Sequence, residues 1–193
     1  MTTIGVGDVW AVETSGFTGD LIRLGADLEG EPTPASHVVM AHHIDARGRW
    51  QGIQGQPGGV GWVDMTQYIT GPLAKYANSN ADQPRTTEQR TALAQVGEGL
   101  LKIGYDWVGG IVADGLDDFH QATLAKLIDH YWGWTDLKHP NVAPGHVVCS
   151  SAWAYAYWVL KLVCPIGPNA DPETVQPANW WIFNGNKKWT VGV

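Results

Sequence analysis

Cys149 opens the stretch CSSAWAYAYWVL (residues 149 to 160), a run apolar on nearly every side, and two serines follow it directly. Deep inside such a helix a cysteine would be a small hydrophobe, but at the first turn it meets unpaired backbone N–H groups and the positive end of the helix dipole. That position favours a thiolate. A cysteine nucleophile also needs a base within hydrogen-bond reach and donors aimed at the oxyanion that develops as it attacks. The helix start can supply the donors, so the base is sought among the seven histidines. His146, three residues upstream, can cap or pack without touching the thiol. His120 and His130 miss the apolar stripe of the helix they are expected to lie on, and His139 precedes Pro140 in a loop; these three read as structural or solvent-facing. The strand histidines His37, His42 and His43 are the serious candidates.

The elements that must bring a histidine to Cys149 follow from periodicity. DVWAVE (residues 8 to 13) alternates as a strand, and SHVVMAHHID with RWQGIQG flanks Ala46-Arg47-Gly48 as the arms of a hairpin. His37, Val39, Ala41 and His43 share one face of the first arm, and Gln54 and Gln56 share a face of the second. His42 and His43, being adjacent on a strand, are expected on opposite faces. With no His-Glu-x-x-His helix and no Cys-x-x-Cys pair, no metal site is expected. The N-terminal third thus reads as strands and turns.

Helices are expected after it: a short one near Thr66 to Tyr76 interrupted at Gly71-Pro72, one over Thr87 to Lys102, one over Leu116 to Tyr131, and the Cys149 helix. Thr86 and Gln89 have capping-box spacing, and Gly104 can end the second helix. The turn-rich tail CPIGPNADPETVQPANWW reads as a surface wrap before a final strand at KKWTV. Strands first and helices after give an α+β class, with no composition break to divide residues 1 to 193 into more than one domain.

Composition sets the outer bounds. A net charge of -7 with no Lys/Arg cluster opposes binding to nucleic acid and docking on anionic lipid by charge alone. The N-terminus lacks the basic and apolar regions of a secretory signal, and no apolar stretch is long enough to span a bilayer, so a cytoplasmic or virion-associated location is expected. Cys149 and Cys164 would stand about 20 Å apart at opposite ends of one helix, too far for a disulfide. The eleven tryptophans suit a core or an aromatic surface, with packing as the default.

Taken in order, GDVW, GDLIRLG, SHVVMAHHID, WQGIQGQPGGVGWVDMTQYI, GYDWVGG, VVCSSAWAYAYWVL and VQPANW resemble the circularly permuted papain-like hydrolases. These are relatives of the NlpC-type peptidoglycan peptidases and of the lecithin-retinol acyltransferase group. The similarity extends over nearly the whole chain. Its most specific parts are the Ser-His opening a strand, the strand ending in Pro-Gly-Gly-Val, and the Cys-Ser-Ser helix start. His before Cys is the permuted order.

The resemblance implies an antiparallel sheet packed against a central helix headed by the catalytic cysteine. It makes Cys149 the nucleophile, His37 the general base and Gln54 the residue that orients His37. Relatives more often carry a carboxylate at the third position. A glutamine oxygen can accept the imidazole N–H and fix its tautomer, but cannot stabilise an imidazolium as a full negative charge would. A tight hairpin centred on Ala46-Arg47 would bring Gln56 nearer to His37, whereas a bulge or a longer loop would restore Gln54. Tyr105, in GYDWVGG, resembles the tyrosine of a Tyr-x-Trp-Gly-Gly run that helps the oxyanion in NlpC-type sites, with a core role as the competing reading.

The activity so implied is cleavage of an amide or related acyl bond through a Cys149 thioester, needing no cofactor. Relatives act on peptidoglycan stem peptides, other small amides or lipid acyl groups, and some occur in phages. Two alternatives stay open: a non-catalytic structural or binding component, for example of a phage particle, that retains the scaffold, and an acyltransferase.

Overall fold

Val9–Val12 (β1) is a four-residue apolar run buried at every position, as a strand covered on both faces should be. Around it the computed structural model describes residues 4–14, 17–28, 33–56, 59–69, 75–78, 85–101, 104–105, 146–147, 149–167, 177–182 and 190–191. β1 pairs antiparallel with β2 (His37–Ile44) on one side and with β5 (Lys75–Asn78) on the other. β3 (Trp50–Gln56) and β4 (Gly59–Asp64) extend the sheet beyond β2, and β8 (Thr190–Val191) borders β5. The order is β4-β3-β2-β1-β5-β8, and every pairing is antiparallel. Mixed helix and antiparallel sheet is the architecture.

Alternation along the strands sorts the core into two clusters, one on each face. Val9, Ala11, Val38, Met40 and Ile53 pack with Ala152, Trp153, Ala156 and Tyr157 of α4 (Cys149–Val159). Trp10, Val12, Val39, Ala41, Val63 and Met65 form the other cluster, with Tyr68 of α2 (Thr66–Ile69) against it. α3 (Thr87–Gly99) lies on the α4 side, where a Cβ on Gly97 would stand 3.3 to 3.4 Å from Ile53, Met40 and Trp153. Only a glycine lets the helix come this close without displacing a neighbour. The expected capping box is present: the Thr86 hydroxyl accepts from the Gln89 amide at 3.2 Å and the Gln89 side chain accepts from Thr86 N–H at 3.1 Å.

Several elements differ from their sequence expectation. The segment read as strand and turn contains a helix, α1 (Phe17–Leu28). The helix expected over Thr66 to Tyr76 stops at Ile69, and Tyr76 belongs instead to β5. α3 ends at Gly99 with Leu100 as its cap, short of Lys102. The tail does not merely wrap the surface, because Pro177–Ile182 forms α5 and buries Trp180 completely in the core. Pro177 at the first helical position suits this, since a missing N–H is no loss there. The helix expected over Leu116 to Tyr131 lies outside the described residues.

Candidate active site

The β2–β3 hairpin sets the register on which the site depends. Asp45 closes it: its carboxylate accepts from Arg47 N–H at 2.8 Å and Arg49 N–H at 2.9 Å, and Gly48 turns with φ of 77°. Such an Asx turn needs a residue tolerant of the left-handed region, here glycine. Nearer the sheet centre the pairing slips by one between Ala41 and His43, the mark of a β-bulge. Past the bulge, Val39 stands opposite Gln54. His37 and Gln54 therefore share a face on neighbouring strands as diagonal neighbours.

His37 Nε2 lies 2.8 Å from Gln54 Oε1. Gln54 is 5% exposed. Its oxygen also accepts from the Tyr68 hydroxyl at 2.7 Å, and its amide N–H donates to Gln56 Oε1 at 2.7 Å. This chain fixes the roles of its atoms. An amide oxygen facing two groups must receive two donors, so His37 carries its proton on Nε2 and leaves Nδ1 as the basic nitrogen. Gln56 supports Gln54 from behind and is not the group that receives the His37 bond. The five-residue turn shifts the pairing by one and the bulge shifts it back, so the bond from His37 reaches Gln54 across the diagonal rather than straight across the strands.

Burial lowers the His37 imidazole from its ordinary 6.5 to about 4, the Gln54 hydrogen bond opposing this. The ring is neutral at pH 7, the form a base needs. Tyr68 is pushed above its usual value, first by burial, with the Gln54 bond acting the other way and the charge of Cys149 raising it further. The backbone before His37 is also pinned: the buried Ser36 hydroxyl lies 2.8 Å from both Thr14 N and Thr14 Oγ1, and Ser36 N–H donates to Val12 O at 3.1 Å. Ser36 thus fastens the start of β2 to the end of β1.

Cys149, 2% exposed, is the first residue of α4. The Trp153 indole, one turn on, donates to Val38 O at 3.4 Å. That bond sets the helix start against the His37 end of β2. The Trp180 indole donates to Ser150 O at 3.3 Å, holding the first turn from the other side. β6 (Gly104–Tyr105) and β7 (His146–Val147) form a two-stranded parallel pair in which Tyr105 stands opposite Val147. The backbone of Tyr105 is thereby adjacent to the strand that leads into Cys149, although 44 positions separate Tyr105 from Cys149 in the sequence. His146 occupies β7 beside Gly104. His120, His130 and His139 lie outside the described residues.

Neither cysteine forms a disulfide. Cys164 stands beyond the other end of α4, where burial pushes its thiol up to about 11 against a backbone hydrogen bond from Ile166 and the nearby Arg85 charge. It lines an apolar groove of about 590 Å³ with Ala154, Trp158 and Leu162, at the opposite end of α4 from Cys149. Tyr68 and Ser36 are the contributors that sequence reasoning did not assign. The spacing between Gln54 and Tyr68 carries no periodic signal, whereas the Ser-His pair opening β2 was visible and only its use was not.

No family model, no curated protein and no solved structure matches this chain. Among the described residues no helix is long and apolar enough to cross a membrane, and no group of three or more His, Cys, Asp or Glu is disposed to hold a metal. One expectation needs correction. His42 and His43 were placed on opposite faces, but their Nδ1 atoms are 3.0 Å apart, because the bulge breaks the alternation between them.

Proposed function

We propose that this protein is a cysteine hydrolase of the permuted papain-like type, cleaving an amide or related acyl bond. The observation that carries this reading is the 2.8 Å bond from His37 Nε2 to Gln54 Oε1, which leaves Nδ1 as base on the strand against which the Cys149 helix is docked. His37 takes the thiol proton through Nδ1, and the sulfur attacks the substrate carbonyl. N–H groups of the first turn of α4 receive the oxyanion. The amine or alcohol then leaves with the proton from His37, and water resolves the thioester with His37 again as base.

Burial of His37 and the neutral Gln54 both disfavour a standing imidazolium. The thiol is accordingly activated by proton transfer during attack rather than held beforehand as an ion pair. A peptide, including a peptidoglycan stem peptide, is the substrate class the resemblance suggests. No cofactor enters the scheme.

The same neutral pair gives the second reading its footing: a scaffold retained for binding or assembly, for example in a phage particle, could keep His37 and Gln54 with little turnover. An electrophilic thiol-directed activity probe applied to wild type, Cys149→Ala and Cys164→Ala separates the two. Labelling abolished by Cys149→Ala and kept in Cys164→Ala supports the hydrolase. Labelling equally kept in both variants, or absent from the wild type, supports the non-catalytic scaffold.

A further inference from the structure

Away from Cys149, the β2 bulge creates a second arrangement that the proposed hydrolysis does not use. His42 Nδ1 and His43 Nδ1 lie 3.0 Å apart, with ring centroids separated by 5.1 Å. Trp62 of β4 packs edge-on against both rings, at 4.9 Å from His42 and 5.3 Å from His43. On the far side of His42, Nε2 lies 3.1 Å from the Glu98 carboxylate of α3. A carboxylate only accepts, so the His42 proton sits on Nε2 and the Nδ1 lone pair is the basic one. His43 Nδ1–H donates to it.

Metal-binding histidines use the same arrangement, in which a carboxylate on one ring nitrogen fixes the tautomer and raises the basicity of the other. The His42 side chain is 15% exposed, and His43 is exposed, which gives an approach from solvent. Two nitrogens about 2.0–2.1 Å from one ion stand roughly 2.8 to 3.4 Å apart across square-planar to tetrahedral angles, and the observed separation falls within that span.

We propose that His42 and His43 form a two-imidazole site for a borderline divalent cation such as Ni²⁺, Cu²⁺ or Zn²⁺, with Glu98 as its outer support and Trp62 as its wall. The cation replaces the proton shared between the two Nδ1 atoms. That proton moves by way of solvent to His43 Nε2, so each imidazole stays neutral with its one proton on Nε2 and the lone pairs of both Nδ1 atoms turned to the cation. Water completes the coordination. The site joins β2 to α3 through Glu98.

The test is calorimetric titration of the tag-free full-length chain with NiCl2, alongside the quench of Trp62 fluorescence taken as the difference between wild type and Trp62→Phe. One equivalent should bind. His42→Gln and His43→Gln should each weaken binding at least tenfold, Glu98→Gln by about 10- to 100-fold, and His146→Gln and Cys149→Ser should leave it unchanged. Trp62→Phe should lose the quench but keep the calorimetric signal. Absence of saturable binding in the wild type, or binding unaltered in both His42→Gln and His43→Gln, overturns the proposal. Should either histidine variant lose its folded circular dichroism, the ¹⁵N shift of the His43 ring in the wild type decides: a change on adding Zn²⁺ supports the site and no change overturns it.

Discussion

Gln54 is where one atom decides what a neighbour can do. Its oxygen accepts from both His37 and Tyr68, so removing either donor frees the amide to turn and the imidazole to change tautomer. Tyr68→Phe should slow reaction of Cys149 with a thiol probe about five- to tenfold, the worth of one hydrogen bond of about 1 kcal/mol. An unchanged rate would remove Tyr68 from the account. Gln54→Glu keeps an acceptor and adds a charge that raises the His37 pKa, whereas Gln54→Ala loses the orientation, so labelling should survive the first change better than the second. If Gln56→Ala abolishes labelling while Gln54→Ala leaves it intact, the orienting residue is Gln56. The identity of His37 and Gln54 as candidates was legible in their residue types and order. The choice between Gln54 and Gln56 was not, because it rests on a diagonal contact in which Tyr68 also bonds the Gln54 oxygen, and no local pattern announces it.

At the scale of elements, what was legible was local. The capping box at Thr86 and Gln89 satisfies its own donors within four residues, and the sequence displays it completely. α1 was not legible because the two glycines Gly19 and Gly25 depress its helix propensity. The reason for Gly19 is tertiary: a Cβ there would meet Thr14 O at 2.5 Å, where α1 crosses the end of β1. α5 was hidden in a turn-like composition, and it forms because Trp180 finds a buried place against β1 and α4. These elements differ in what they do for the site. Thr86→Ala should lower stability by about 1 kcal/mol without altering labelling of Cys149. Trp153→Ala removes both the core volume and the bond to Val38 O, and should cost about 3–5 kcal/mol while also slowing labelling. Urea midpoints and labelling rates on the same samples check both, and a Trp153→Ala protein that labels at the wild-type rate would separate helix docking from reactivity.

For the molecule as a whole, the two faces of the sheet carry different duties. One holds α3, α4 and most of the core, and the other holds α2 and the His37–Gln54–Tyr68 chain. Burying His37 in neutral form links folding to pH. Its folded pKa of about 4 lies below the ordinary 6.5, so the unfolded chain binds more protons between these values. The stabilisation is fully present above pH 6.5 and is lost as pH falls toward 4. At pH 4.5 the loss amounts to at most about 2.5 kcal/mol. Urea unfolding at pH 7 and pH 4.5 should therefore show a smaller difference in His37→Gln than in the wild type. Equal differences in the two proteins would mean that His37 is not desolvated.

On the proposed reading Cys149 is activated by its place and by His37, whereas burial pushes the Cys164 thiol up to about 11. The rate of alkylation at each cysteine by iodoacetamide, read at pH 7 by mass spectrometry of the folded protein, tests it directly. Cys149 should react at least tenfold faster than Cys164, and His37→Ala should remove most of that advantage. Equal rates, faster modification of Cys164, or a Cys149 rate untouched by His37→Ala would contradict the account.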